Sequence, residues 1–68
     1  MENKFHTNDI IKCLFAVKNR LTIDKNYKIV FADNEIFYIA DDSNSNRYFK
    51  NEGNNDFWVL SNEKLFNL

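Results

Sequence analysis

Hydrophobic residues recur at every second position in the middle of the chain, which is the pattern of a half-buried β-strand. Within residues 27–32, Tyr27, Ile29 and Phe31 fall on one side of the alternation. The polar segment Asp33-Asn34-Glu35 follows, and residues 36–40 are again largely apolar. Two such runs joined by a short polar segment predict a β-hairpin that reverses at residues 33–35.

Two further strands are predicted after this hairpin. A polar turn at residues 41–46 precedes a strand at 47–50, which places Tyr48 and Phe49 on opposite faces. A second turn at 51–56 contains Gly53, the single glycine of the chain, and a strand follows at 57–60. Residues 63–66 are expected to form a short turn or edge piece. With one Gly and no Pro, the turns depend on Asn, which tolerates left-handed backbone.

The first apolar segment, residues 10–17, fits two periodicities. Helical spacing relates Ile10, Ile11, Leu14 and Phe15, and Asn8 or Asp9 could cap such a helix. Strand alternation instead relates Ile11, Cys13, Phe15 and Val17. β-Branched and aromatic residues dominate the front half of the segment and favour the strand. A short helix here remains the alternative.

Length and composition indicate one small domain spanning residues 1–68. The chain has 7 Phe, 3 Tyr and 1 Trp, enough aromatic residues for a packed core despite many polar residues. Chains of this size bury only about 60% of the surface that their unfolded form exposes. The expected net stability is therefore only about 3–5 kcal/mol.

Charge and cysteine content restrict the setting. The net charge is −1 and the pI is about 5.7, so the basic footprint of a nucleic-acid-binding protein is absent. One cysteine, Cys13, cannot form an intrachain disulfide, which favours a cytoplasmic location. No apolar run approaches the roughly 20 residues that span a bilayer, so no membrane association is expected.

Residues able to carry chemistry are scarce. The single His6 and the single Cys13 are the only candidates for a nucleophile and base, and we interpret them as a surface histidine and a core cysteine. Two such residues are too few for a zinc site. Asp41, Ser43, Ser45 and Glu52 match a calcium loop only loosely, and strands rather than helices flank them. We therefore expect no enzyme, metal or cofactor.

Short motifs resemble those of small SH3-like β-barrel proteins from phages of AT-rich bacteria. The matching positions are Asp9, Cys13, Leu21-Thr22, Lys25-x-Tyr27 and Asp41-Asp42. Asp24 stands where the pattern usually has Gly. Asn occurs 12 times, Lys 7 times and Ile 6 times, and these residues have AT-rich codons. The resemblance implies a mainly β fold, an SH3-like barrel of about five short strands, and carries no functional residues across.

Aromatic pairs on the predicted strands are the main functional signal. Phe37-Tyr38, Tyr48-Phe49 and Phe57-Trp58 each place rings on both faces of a strand. The polar groups of Tyr38, Tyr48 and Trp58 suit these three residues to the outer face, where they would form a partner-binding surface. In the alternative, terminal segments cover this face. The acids Asp41, Asp42, Glu52 and Asp56 flank it and are further candidate contacts.

The sequence thus predicts a non-enzymatic protein-binding module. The resemblance implies a phage protein in the host cytoplasm that binds and inhibits a host replication, transcription or defence protein, for example a DNA sliding clamp. The same surface could also form a homodimer. The alternative is a nucleic-acid-binding SH3-like barrel that uses Tyr48, Lys50 and Trp58, which the charge balance makes the weaker hypothesis.

Overall fold

The computed structural model describes residues 4–61, and these form a single antiparallel β-sheet that curls into a half-barrel. The sheet order is β4-β3-β2-β1-β5. Its strands are β1 (Ile10–Cys13), β2 (Asn26–Ala32), β3 (Ile36–Ala40), β4 (Asn46–Lys50) and β5 (Trp58–Leu60). β1 lies between β2 and β5 and pairs with both of them. This all-β architecture agrees with the expected small β-barrel.

The predicted strands are confirmed, with small differences at their ends. The hairpin reverses at residues 33–35, where Asp33 donates its backbone N–H to the carbonyl of Ile36. The first apolar segment is a strand only as far as Cys13, and no helix occurs within residues 4–61. The edge piece expected at residues 63–66 lies outside the described residues.

A β-bulge in β2 changes which residues face the core. Ile29 pairs with Ile39, but Phe31 pairs with Tyr38, so β2 advances two residues where β3 advances one. The extra residue is Val30. Beyond it the alternation is reversed, because a bulged residue turns the following side chains to the other face. The expectation that Phe31 shares a face with Tyr27 and Ile29 is therefore wrong.

The core lies on the concave side of the sheet and is largely aromatic. Its buried members are Phe5, Ile11, Cys13, Leu21, Tyr27, Ile29, Phe37, Ile39 and Trp58. Trp58 is 2% exposed and meets the rings of Phe15, Tyr27, Phe37 and Phe49 with centroid distances of 5.1–6.1 Å. The expectation that Trp58 belongs to an outer contact surface is wrong, because its large ring fills the centre of this small core.

A buried amide joins three segments of the chain beneath the core. Asn51 accepts a hydrogen bond from the Phe5 N–H at 3.1 Å and donates to the Phe5 carbonyl at 3.0 Å. It also donates to the carbonyl of Asp33 at 2.8 Å and accepts from the N–H of Gly53 at 3.3 Å. Because a buried polar group is costly when unpaired, this saturated amide holds the N-terminal segment, the hairpin and the 51–57 loop together.

Left-handed backbone occurs mainly at Asn and Asp residues in this chain, which has a single glycine. Asn8, Asn19, Asp24 and Asn44 have φ values of 64–75°, and Gly53 has 69°. Asp24, in the segment between β1 and β2, has a φ of 68°. Asp tolerates this conformation better than most residues, at a local cost that Gly would not incur.

We predict that two substitutions at Asp24 differ in their effect on stability. Asp24→Gly should change the free energy of unfolding by less than about 0.5 kcal/mol, since relief of left-handed strain offsets the added chain entropy. Asp24→Val should cost about 1–2 kcal/mol, because its β-carbon is branched. Urea unfolding curves of the two variants measure the difference, and equal stabilities would contradict the assigned backbone conformation.

We predict that Trp58→Ala unfolds the domain at room temperature. Truncating a buried Trp typically costs about 3–5 kcal/mol, which is comparable to the whole expected stability. The indole N–H has no hydrogen-bond partner among the described residues. Trp58→Phe should therefore be tolerated, since it keeps a ring and loses no hydrogen bond. Circular dichroism and urea unfolding report both outcomes, and a folded Trp58→Ala variant would show that the core does not depend on this ring.

Candidate functional site

Three aromatic side chains form a row across the outer, convex face of the sheet. Phe31 of β2, Tyr38 of β3 and Tyr48 of β4 are directly paired neighbours in the register. Their ring centroids are 6.2 Å apart between Phe31 and Tyr38 and 4.7 Å apart between Tyr38 and Tyr48. We call this row the outer aromatic ladder.

The ladder is accessible to a partner. Tyr48 is 61% exposed and Phe31 is 43% exposed, whereas Tyr38 is half-buried between them. Val30, the bulge residue, is also exposed next to Phe31. Neighbouring exposed aromatic and aliphatic groups are the composition of the centre of many protein interfaces. The bulge is what adds Phe31 to this surface.

Charge is separated between the strands and the loops. Every Lys and Arg within a strand lies on β1, β2 or β4, namely Lys12, Lys28, Arg47 and Lys50. Every acid among residues 4–61 lies in a turn or loop. Lys28 and Lys50 share the outer face with the ladder. The strand residues beside the aromatic surface therefore include cations and no anions.

A pocket lies at the seam between β4 and β5, which do not pair. It is a cavity of about 330 Å³ whose walls are mainly the rings of Phe15, Phe49, Phe57 and Trp58. Phe57 is 56% exposed at this seam. We call it the seam pocket. Lys50, Glu52 and Asn55 complete its lining, and residues 4–61 bring no group of three possible metal ligands together there.

The structure separates the seven residues that the sequence suggested for partner binding. Tyr38 and Tyr48 are adjacent on the outer face, as expected from strand alternation. Trp58 is in the core. Glu52 and Asp56 are exposed residues of the 51–57 loop, and Asp41 and Asp42 lie in the β3–β4 turn. Of these acids, Glu52 lies near the tyrosine face, since its carboxylate is 3.9 Å from Lys50 Nζ.

Asp41 is a structural residue of its turn. It is 5% exposed and accepts hydrogen bonds from the Ser43 hydroxyl at 2.7 Å and the Ser43 and Ser45 N–H groups at 2.9 and 3.1 Å. Arg47 also donates to it at 3.3 Å. These donors, the Ser43 hydroxyl first, hold the pKa of Asp41 well below its ordinary value despite burial. The expectation of Asp41 as a surface contact is wrong, because its carboxylate is enclosed by its own turn.

Asp42 joins the β3–β4 turn to the segment between β1 and β2, residues 14–25, and to the start of β2. Its carboxylate accepts hydrogen bonds from Lys25 Nζ and the Thr22 hydroxyl, both at 2.7 Å, and from the Tyr27 hydroxyl at 3.0 Å. The bond from Lys25, followed by that from Thr22, lowers the pKa of Asp42. The same bond raises the pKa of Lys25. With its side chain 22% exposed and saturated, Asp42 contributes mainly to the fold.

The other candidate residues stand apart from the ladder. Cys13 is fully buried and donates its thiol to the carbonyl of Phe15 at 2.9 Å. Burial raises the pKa of the Cys13 thiol. His6 is at the surface, and its Nδ1 lies 3.7 Å from Oδ2 of Asp9. Within residues 4–61 no three acidic, His or Cys side chains are grouped as metal ligands.

Sequence reasoning missed Phe31 as a member of the surface. Strict alternation from Tyr27 assigns Phe31 to the core, and only the bulge reverses it. The one available signal is that residues 29–32 are all apolar, so that alternation there leaves the facing of each residue open.

No protein-family model, curated protein sequence or solved structure matches the chain. In the described part of the chain, no helical segment has the length and hydrophobicity needed to cross a bilayer. Function must therefore be inferred from the geometry of the outer aromatic ladder and its surroundings.

We predict acid lability that depends on Asp41 and Asp42. Both carboxyls have a lowered pKa in the folded state, so their stabilisation is complete above the unfolded value of about 4 and is lost as pH falls below it. Asp41→Asn and Asp42→Asn should each reduce stability at neutral pH and flatten its fall with acid. Thermal unfolding at stepped pH measures this. Asp56→Asn, at an exposed loop residue, is the control and should match the unsubstituted chain.

Proposed function

We propose that this chain is a non-enzymatic protein-binding module with an SH3-like barrel, and that its outer aromatic ladder is the centre of the contact. The single observation that carries the proposal is the ladder itself: the rings of Phe31, Tyr38 and Tyr48 lie side by side on an exposed face. A sheet face that contacts only water gains no stability from three adjacent exposed rings. Aromatic residues, in contrast, contribute much of the binding energy at the centres of protein interfaces.

The strand order β4-β3-β2-β1-β5 supports the SH3-like assignment. It combines a three-strand meander with a first strand that pairs with both the second and the last. The left-handed backbone of Asp24 supports it further, because that residue occupies the position at which the SH3-like pattern usually has Gly.

We further propose the biological setting that the sequence resemblance implies. In this proposal the chain is a small phage protein that acts in the cytoplasm of an AT-rich host. There it binds and inhibits a host replication, transcription or defence protein, of which a DNA sliding clamp is one example. The short SH3-like motifs and the abundance of Asn, Lys and Ile support the setting, and the ladder supports protein binding.

Nucleic-acid binding is the second candidate, and one observation favours it. The outer face carries Lys28 and Lys50 beside the ladder and no acid within its strands, which is the combination of cations and stacking rings used for single-stranded nucleic acid. Against it stands the net charge of −1, since backbone binding depends on neutralising phosphates.

We predict that Tyr38→Ser with Tyr48→Ser weakens partner binding at least about tenfold, because central aromatic side chains each carry about 2 kcal/mol or more. The experiment uses the full chain as bait in lysate of an AT-rich bacterial host, with quantitative mass spectrometry of retained proteins. Binding of the principal retained protein is then measured with purified components.

Ile23→Ser is the matched control, because Ile23 is an exposed apolar residue outside the ladder. It should bind like the unsubstituted chain. Equal loss in both variants, or none in either, would contradict the proposal. A labelled single-stranded oligonucleotide, titrated at several salt concentrations, tests the second candidate: steep loss of affinity with salt, together with loss in Lys28→Ala and Lys50→Ala, would favour nucleic acid.

A further inference from the structure

The outer edge of β4 presents backbone groups without a strand partner. At one end of the β3–β4 pair, Asp41 donates to the carbonyl of Ser45, and at the other, Asn51 donates to that of Glu35. Hydrogen-bonded residues alternate along an antiparallel strand. The intervening residues Arg47 and Phe49 therefore bond to β3, while the N–H and C=O groups of Asn46, Tyr48 and Lys50 point outward.

These outward groups are almost entirely unoccupied among residues 4–61. The one hydrogen bond to them is from the Glu52 N–H to the carbonyl of Lys50, at 3.1 Å, and a carbonyl oxygen can accept a second bond. Asn46, Tyr48 and Lys50 are also exposed as whole residues. A row of this kind is a template for pairing with another strand.

The opposite edge of the same sheet is closed by the chain itself. On β5, the Trp58 N–H donates to the Asn55 side-chain oxygen and the Leu60 N–H to that of Asn54, both at 2.8 Å. The Trp58 carbonyl accepts from the Asn55 N–H at 2.8 Å. The two asparagines thus imitate a neighbouring strand and block pairing there. The fold protects one edge and leaves the other open.

We propose that β4 pairs antiparallel with β4 of a second copy of this chain, about a two-fold axis that passes beside Tyr48. A two-fold axis makes edge-to-edge pairing antiparallel and self-complementary. In this register Tyr48 faces Tyr48 of the second copy, and Asn46 faces Lys50. Every outward backbone group of the strand then has a partner.

Backbone pairing selects this register, and the charges on β4 do not oppose it. With Tyr48 on the axis, Lys50 lies opposite a neutral Asn46, and Arg47 lies opposite Phe49. If Arg47 instead lies on the axis, it faces Arg47 of the second copy. If Lys50 lies on the axis, it faces Lys50 of the second copy. Like charges directly opposite in a sheet are destabilising. The alignment between these, with Phe49 on the axis, brings no like charges together but places Asn46 opposite Glu52, which lies outside β4. Only the register with Tyr48 on the axis therefore pairs all three outward residues of both copies.

The outer aromatic ladder continues across the proposed axis. Tyr48 contacts Tyr38 on one side, and its other side is open. Pairing about the axis places the Tyr48 ring of the second copy on that open side, so the two ladders form one row of rings. Directly facing aromatic residues in neighbouring strands add to sheet stability. The proposal is independent of which macromolecule the ladder binds.

Sedimentation equilibrium of the full chain, from micromolar to millimolar concentration, tests the proposal. The expected result is an average mass that rises with concentration from 8.2 kDa toward twice that value. A contact along one short strand buries little area, so a weak, reversible dimer is expected. A mass that stays at that of the monomer throughout the range overturns the proposal, whatever the outcome of the partner-binding experiment.

Asn46→Pro and Asn46→Ala form a matched pair of variants. Proline removes the outward N–H and is tolerated at edge strands, whereas alanine removes the same side chain and keeps the N–H. Asn46→Pro should weaken dimerisation at least about tenfold, because symmetry removes the bond twice, and Asn46→Ala should dimerise like the unsubstituted chain. Equal dimerisation of the two folded variants overturns the proposal.

Cysteine cross-linking tests the register and does not depend on a proline variant that folds. Facing residues of a hydrogen-bonded antiparallel pair have Cα atoms about 5.5 Å apart, within the range of a disulfide. Under mild oxidation Tyr48→Cys should form a disulfide-linked dimer. Tyr38→Cys, also on the outer face but one strand further from the axis, should remain monomeric. Equal cross-linking of both variants overturns the assigned register.

Discussion

The β-bulge at Val30 is the constraint on which both the core and the outer surface depend. By inserting one extra residue opposite β3, it turns Phe31 outward and brings the small side chain of Ala32 inward against Phe37. Phe37 in turn packs against Phe5, Phe49 and Trp58. An unbroken strand would place a large ring where this crowded core accommodates a methyl group, and it would remove the first ring of the outer aromatic ladder. A single backbone irregularity therefore serves packing and surface together.

Side-chain amides and carboxylates close the turns and bond free backbone groups in this domain, where other small domains use glycine, proline or longer strands. Asn51 links three segments inside the domain, Asn54 and Asn55 cap the edge of β5, and Asp41 organises the β3–β4 turn. Each of these groups can imitate a backbone donor or acceptor, because its side chain is short enough to bond to the neighbouring main chain. A domain of 68 residues with a single glycine can in this way close its turns without additional secondary structure.

The two edges of the sheet differ in how their outward backbone groups are bonded. The β5 edge is satisfied by the chain's own amides, whereas β4 keeps its outward backbone groups and the most exposed ring of the ladder side by side. Interaction through main-chain pairing and interaction through aromatic side chains would therefore meet at the same strand. Asp41 and Asp42 do not compete for this surface, since both are held in internal hydrogen bonds.

The sequence by itself determined the strands after residue 26 and the hairpin reversal at residues 33–35, because period-two alternation and turn-forming residues are local properties. The polar groups of Tyr38 and Tyr48 indicated their outward facing. Residues 10–17 were left open between a strand and a short helix. Only the tertiary structure decided the facing of Phe31 and Trp58. Phe31 lies in an apolar run whose register depends on pairing with β3, and Trp58 lies at the start of a short edge strand whose ring could point to either face. Burial of Asp41 was likewise undecidable from sequence, since an acidic turn looks the same whether its carboxylate faces water or its own backbone. These outcomes depend on how separate strands meet, and no local pattern encodes that meeting.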